Sequence, residues 1–104
     1  GQAVAVSGLA CLAAEAMDGT DAMIQRAAGL AGGRPLRVVK VAKPKQDLRF
    51  DVPVVGPATI AAMRASGATA LGLDAGITLM LEREALLAAA DAAGIAIEGR
   101  LRPA

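Results

Sequence analysis

The stretch from Lys40 to Pro53 carries the side chains best suited to chemistry. In its second half polar and apolar residues alternate, with Asp47, Arg49 and Asp51 all at one parity. Side chains two residues apart share a face of an extended segment, so two carboxylates and a guanidinium are predicted to face the same way. The apolar side, which is predicted to anchor the segment in a core, consists of Leu48, Phe50 and Val52.

Carboxylates beside cations at this spacing favour a site for phosphate and a divalent metal ion. Carboxylate oxygens are the usual ligands of Mg²⁺, which tends to use one or two of them and to keep several waters. Basic side chains neutralise phosphate oxygens, and arginine does so with two parallel hydrogen bonds. The candidates for that role are Lys40, Lys43, Lys45 and Arg49.

The same stretch has a second interpretation, as an edge strand whose charges only face solvent. Pro44 and Pro53 bracket it, and proline lacks the N–H that an inner strand position needs. Charge on an edge strand also discourages pairing with other chains. Spacing alone does not distinguish this solvated strand from the phosphate and metal site.

Two predicted helix starts and one strand end offer further sites. Free N–H groups and the helix dipole favour phosphate at Gly19-Thr20 and at Gly56-Pro57. The base rates of helix starts favour the other interpretation, that both pairs are plain helix caps. Asp74 follows a predicted strand, which is a common position for a ligand-binding residue in α/β sheets, but it also suits a tight turn.

The elements that must position these residues alternate between strands and helices. Strands at 2–6 and 9–14 are predicted to form a hairpin joined at Ser7-Gly8, followed by a helix that Thr20 caps and that runs to Leu30. The remaining elements are a strand at 36–41, a helix from Pro57 to a stop at Gly67, strands at 68–73 and 78–81, a helix from 82 to a stop at Gly94, and a strand at 95–97. This order predicts a single small layered α/β domain with a mixed sheet and about three helices.

Composition limits the class of protein. The chain has 104 residues, enough for one small domain, and it is 55% hydrophobic but only 1% aromatic. A net charge of +1 argues against nucleic-acid binding through bulk electrostatics. The absence of histidine excludes histidine-based catalysis and histidine metal sites, and the single cysteine, Cys11, is predicted to be a buried apolar residue. All four methionines are predicted to lie in the core.

Neither a signal peptide nor an apolar run long enough to span a bilayer is visible in the sequence. A reducing, cytoplasmic setting fits these features and the lone cysteine. Residues 98–104 are predicted to be frayed.

Three segments together resemble one known family. The stretch from Lys43 to Pro53, with Gly56-Pro57 after it, resembles a motif of the LpxI family, the UDP-2,3-diacylglucosamine pyrophosphatases of lipid A synthesis. Segments 18–21 and 73–79 resemble that family's Glu-Gly-Thr-Asp and Glu-Ala-Gly-Lys-Thr segments. The resemblance covers residues 1 to about 99 and is to the C-terminal domain only, with the family's N-terminal domain missing from this sequence.

The resemblance implies a hydrolase, dependent on Mg²⁺ or Mn²⁺, that cleaves UDP-2,3-diacylglucosamine into UMP and 2,3-diacylglucosamine 1-phosphate, known as lipid X. It implies Asp51 and Asp47 as catalytic residues and metal ligands, with Asp74 as a further metal ligand. The implied substrate-binding residues are Lys40, Lys43, Gln46, Arg49, Thr20 and Asp21.

The same resemblance implies the domain organisation of the chain and its partners. Residues 1–99 would be a C-terminal catalytic domain, 100–104 a frayed tail, and the missing N-terminal domain a partner. The lipid-linked nucleotide sugar would bring the enzyme to the cytoplasmic surface of the inner membrane as a peripheral protein.

Three positions depart from the family pattern. Lys45 stands where the family commonly has glycine, and Asp74 stands where it commonly has glutamate. Ile77 stands where it commonly has lysine, so one phosphate contact of the 74–78 turn is absent.

Two other classes of function stay open beside the enzyme. One is a nucleotide- or anion-binding module without catalysis, and the other is a structural domain that contributes an oligomer interface, such as that of a homodimer, through its Ala-rich helices.

Overall fold

A hairpin begins the chain in the computed structural model, which describes residues 2–41 and 53–100. β1 (Gln2–Ser7) and β2 (Ala10–Ala14) pair antiparallel, as predicted. The turn lies at Gly8-Leu9, one residue later than predicted. Gly8 has a φ of 60°, a left-handed conformation that glycine adopts without a steric cost.

Alternating helices and strands follow the hairpin. They are α1 (Thr20–Ala31), β3 (Leu36–Val41), β4 (Val54–Val55), α2 (Pro57–Ala65), β5 (Ala68–Asp74), β6 (Leu79–Met80), α3 (Arg83–Ala93) and β7 (Ala96–Arg100). Glycine ends two of the helices in the left-handed conformation, at Gly32 after α1 and at Gly94 after α3. Pro57 begins α2, where its missing N–H would have had no partner within the helix.

Five strands form one mixed sheet in the order β2-β1-β3-β5-β7. β1 is antiparallel to both of its neighbours, whereas β3, β5 and β7 are parallel to one another. Parallel neighbours need a crossover, and α2 and α3 provide it for the two parallel pairs. The prediction of a layered α/β domain with a mixed sheet and three helices is confirmed for the part of the chain that the structure describes.

The three helices form a layer on the sheet. α1 packs on β1 and β2, α2 on β5, and α3 on β7, while α2 also contacts both other helices. Ala3 and Ala5 of β1 are fully buried, and so are Met23 and Ile24 of α1. Small side chains on the strand let the helix approach closely, so a core with almost no aromatic residues is still closed. None of the described helices is long and apolar enough to cross a membrane.

Two predicted core residues are exposed. Met23 and Met63 are fully buried, as predicted, but Met17 lies fully exposed in the connection between β2 and α1. Cys11 is exposed as well, because it sits on β2, the strand at one end of the sheet. An apolar run predicts a strand correctly, yet at a sheet edge one part of that strand stays open to solvent.

The last strand is longer than predicted. β7 continues to Arg100, and its Glu98, Gly99 and Arg100 stand opposite residues 72–74 of β5. The prediction that fraying begins at Glu98 is therefore wrong. Backbone pairing with β5 orders these residues even though their side chains are exposed. Of the predicted tail at 100–104, Arg100 belongs to β7, and residues 101–104 lie outside the described residues.

Candidate functional site

The carboxyl ends of β3, β5 and β7 form one edge of the sheet, because these strands are parallel. Lys40 stands level with Leu73 there, and Asp74 stands level with Arg100. α2 and α3 are the crossovers of the two parallel pairs, so each begins at this edge and runs back along the sheet, α2 after β4 and α3 after β6. β2 runs in the same direction as β3, so α1 begins there too. We call this region the strand-end edge; it collects three helix N-termini, which favour anions.

Two predicted substrate-binding residues, Lys40 and Thr20, are in contact at this edge. Lys40 Nζ donates a hydrogen bond to Thr20 Oγ1 over 3.0 Å, although the two residues are twenty positions apart in the chain. Lys40 shares the parity of Leu36 and Val38, which are fully buried beneath the helices. Its side chain therefore rises on the helix side of the sheet and meets the first turn of α1.

Thr20 does not cap α1, contrary to the prediction. Gly19 is the N-cap residue, with a φ of 89° that suits glycine, and no side chain caps the helix. Thr20 is instead the first helical residue and is buried, and its hydroxyl donates to Glu15 Oε1 over 2.9 Å. The hydroxyl thus bonds to two side chains, Glu15 directly after β2 and Lys40 in β3, rather than to the helix backbone.

Sequence reasoning missed Glu15. Its backbone N–H donates to the Ala3 carbonyl over 2.7 Å, which continues the β1–β2 pairing by one residue. Its other carboxylate oxygen, Oε2, is enclosed and has no hydrogen-bond partner among residues 2–41 and 53–100. A buried polar group left without a partner costs about 1–3 kcal/mol. The only sequence signal was parity, which places Glu15 on the same face as the buried Ala13.

Asp21, another predicted substrate-binding residue, is exposed in the first turn of α1. Negative charge is favoured at that end of a helix, so Asp21 has a structural role there whatever it binds. Within the described part of the chain no hydrogen bond to its carboxylate is seen. It lies next to the contact between Thr20 and Lys40 but takes no part in it.

Asp74 lies at the carboxyl end of β5 and is 7% exposed. Its carbonyl accepts hydrogen bonds from the Thr78 backbone N–H over 3.3 Å and from Thr78 Oγ1 over 2.8 Å. Gly76, inside this loop, has a φ of 82°. The predicted turn is therefore present, and it holds a carboxylate at the strand-end edge.

A second, two-stranded sheet joins that turn to the charged stretch. β4 pairs parallel with β6, the Leu79 N–H donates to the Pro53 carbonyl over 2.8 Å, and the Leu81 N–H donates to the Val55 carbonyl over 2.8 Å. At its other end the stretch leaves β3 directly after Lys40 and Val41. Val41 and Pro53, the described residues on either side of segment 42–52, thus both lie at the strand-end edge. The predicted site residues Lys43, Gln46, Asp47, Arg49 and Asp51 lie outside the described residues.

A cavity of about 460 Å³ opens beside Asp74. Its lining includes Leu73, Met80, Leu87, Ile97 and Arg83. Among residues 2–41 and 53–100, no three His, Cys, Asp or Glu side chains are grouped closely enough to hold a metal ion. Of the three predicted metal ligands, Asp74 is among the described residues, and Asp47 and Asp51 are outside them.

Comparison with known proteins gives one family. The LpxI C-terminal domain matches residues 1–98 of the chain. The UDP-2,3-diacylglucosamine pyrophosphatase LpxI of Caulobacter vibrioides is 41% identical over 104 residues, which cover 93% of this chain and 37% of that protein. The chain therefore spans little more than a third of the length of the curated relative that it matches.

Proposed function

The chain belongs to the LpxI family, and from that premise we propose that it is the C-terminal catalytic part of an enzyme that hydrolyses the pyrophosphate of UDP-2,3-diacylglucosamine. The products are UMP and 2,3-diacylglucosamine 1-phosphate. The name of the Caulobacter vibrioides relative supports this substrate. The observation that carries the proposal is the hydrogen bond from Lys40 to Thr20, because it holds a cation at an edge that already favours anions.

Hydrolysis of a pyrophosphate requires water to attack one phosphorus while the bridging P–O bond breaks. The electron pair of that bond leaves with the second phosphate, and the water loses a proton. Such reactions depend on positioning and on neutralising charge more than on covalent catalysis. In our proposal Asp51 orients the water and accepts its proton, with Asp47 beside it on the same face of the segment.

Mg²⁺ or Mn²⁺ fits the donor set of this chain. The protein has no histidine, and its one cysteine is exposed on β2, so carboxylate oxygens are the available ligands. In our proposal Asp47, Asp51 and Asp74 hold the ion. When bound, it would neutralise charge on the phosphate oxygens.

The basic residues around this edge would hold the pyrophosphate. Lys40 is already oriented by Thr20, and the N-terminus of α1 adds N–H groups beside it. We assign the same role to Lys43 and Arg49, and substrate contacts to Gln46 and Asp21. The positions of Val41 and Pro53, the described residues on either side of segment 42–52, support this assignment, because both lie at the strand-end edge.

The acyl chains of the substrate need an apolar surface, which an N-terminal domain of the intact enzyme would complete. The substrate would also bring the enzyme to the cytoplasmic face of the inner membrane. The direct test of the proposed function is to measure, by chromatography, the UMP that the intact enzyme releases from UDP-2,3-diacylglucosamine.

Lys40→Met is expected to lower kcat/KM for UMP release by roughly 10- to 100-fold, because hydrogen bonds to charged groups contribute about 1.5–3 kcal/mol. Methionine keeps the length and packing of the side chain and removes the charge, so the melting temperature should hardly change. Arg37→Met is the matched control, since Arg37 is exposed and lies on the same strand at the opposite parity. Equal kinetics for the two variants would show that Lys40 does not touch the substrate.

A non-catalytic nucleotide-binding module is the second candidate. The observation that favours it is the Lys40–Thr20 hydrogen bond at the start of α1, because a cation beside free N–H groups can bind a phosphate without any catalytic step. Binding of UMP measured by calorimetry, together with an intact protein that releases no UMP, would support the module and refute the hydrolase.

A further inference from the structure

We propose that Glu15 is a positioning residue, which orients the Lys40 ammonium through the hydroxyl of Thr20. This inference rests on the proposed function of the strand-end edge. It concerns a residue outside the predicted site, and it is carried by the hydrogen bonds Lys40 Nζ to Thr20 Oγ1 and Thr20 Oγ1 to Glu15 Oε1.

The register of the sheet places Glu15 and Lys40 on either side of Ala3. Glu15 is bonded to the Ala3 carbonyl, and Lys40 is the partner of Ala3 in the β1–β3 pair. Two strand spacings amount to roughly 9.5 Å, which is too far for a direct ion pair between side chains that stand upright on the sheet. Ala3 has only a methyl group, so there is room above it, and the hydroxyl of Thr20 bridges the gap.

The chemistry of the three groups fixes the direction of this chain of hydrogen bonds. An ammonium only donates, so Thr20 Oγ1 must accept from Lys40. An ionised carboxylate only accepts, so the single hydroxyl hydrogen of Thr20 must point to Glu15. Each bond polarises the next in a partly buried setting. Glu15 thus makes Thr20 a better acceptor for Lys40 and leaves two N–H groups of the ammonium for phosphate oxygens.

The unpartnered oxygen of Glu15 argues against a purely structural role. Oε2 is enclosed and has no hydrogen-bond partner among the described residues. A buried charge with an unpartnered oxygen costs free energy, so a residue needed only to fill this space would be better as an apolar side chain of similar length, such as methionine. We infer that the negative charge is retained for its effect on Thr20 and Lys40.

The experiment compares Glu15→Gln and Thr20→Val in the intact enzyme. Each is expected to lower kcat/KM for UMP release by about fivefold, mainly through KM, because each weakens one hydrogen bond behind the phosphate-binding group. UMP affinity measured by calorimetry should fall by a similar factor. The melting temperature of Glu15→Gln should stay the same or rise. Asp91→Asn, an exposed aspartate near the far end of α3, is the control that loses the same charge away from the strand-end edge.

A double-mutant cycle separates positioning from an independent effect. In the Lys40→Met background, Glu15→Gln should cause no further loss of kcat/KM, since the group that it positions is gone. An equal loss in both backgrounds would overturn the proposal. Unchanged kcat/KM together with a lower melting temperature would also overturn it and would assign Glu15 a structural role.

A measurement made without any ligand tests the positioning role of Glu15 separately from the proposed function. The rate at which acetic anhydride acetylates Lys40, followed by peptide mass spectrometry, should rise in both Glu15→Gln and Thr20→Val. Unchanged rates would refute the positioning role. Faster acetylation in a protein that releases no UMP would support it while refuting the hydrolase.

Discussion

Asp51→Ala in the intact enzyme is expected to lower kcat for UMP release by roughly a hundredfold or more, the usual effect of removing a positioned acid or base. In the sequence, Asp51 has the same parity as Asp47 and Arg49, whereas Phe50 and Val52 have the other parity. Its removal should therefore leave no cavity in the core. The free energy of unfolding should change by less than about 1 kcal/mol, which is typical of substitutions outside the core.

The measurement pairs steady-state UMP release with thermal melting. Asp51→Asn should be nearly as inactive as Asp51→Ala, since the amide keeps the shape but cannot accept a proton from water. Asp91→Ala is the matched control, because Asp91 is exposed near the far end of α3, away from the strand-end edge. An Asp51→Ala protein that melts much earlier, or that turns over normally, would mean that the carboxylate is structural.

Removal of divalent metal ions is the second change with a large expected effect. Excess EDTA should abolish UMP release, and Mg²⁺ or Mn²⁺ added back should restore it, because the proposed ligands are carboxylates and the chain has no histidine. Asp74→Asn should raise the Mg²⁺ concentration needed for half-maximal activity, with Asp91→Asn as its control. Full activity in excess EDTA would remove the metal-binding role assigned to Asp47, Asp51 and Asp74.

The order of the elements could be predicted from local patterns alone. Apolar alternation, glycine stops and a proline start located the three helices and the main strands to within a few residues. The resemblance to the LpxI family, which depends on motifs, is confirmed by the match over residues 1–98. These features are decided by neighbouring residues in the chain, so the sequence alone was enough to determine them.

Contacts between distant residues were decided only by the tertiary structure. Lys40 meets Thr20, and Glu15 joins them, because the register of β2, β1 and β3 puts both charged side chains on the helix side of Ala3. No spacing in the sequence encodes that register. The pairing of β4 with β6, which ties the end of the charged segment to the turn after Asp74, was equally hidden.

The exposure of residues outside the core shows the same division between what local pattern predicts and what the tertiary structure decides. Cys11 belongs to an apolar run and Met17 is an apolar residue type, but both are exposed because Cys11 lies on an edge strand and Met17 in a connection. Thr20 has the residue type and position of a helix cap, yet its hydroxyl bonds to side chains from two other segments. Local pattern by itself determined which elements form and in what order. Only the packed sheet decided which polar groups meet, because those contacts depend on strand register and on which face of the sheet the helices cover.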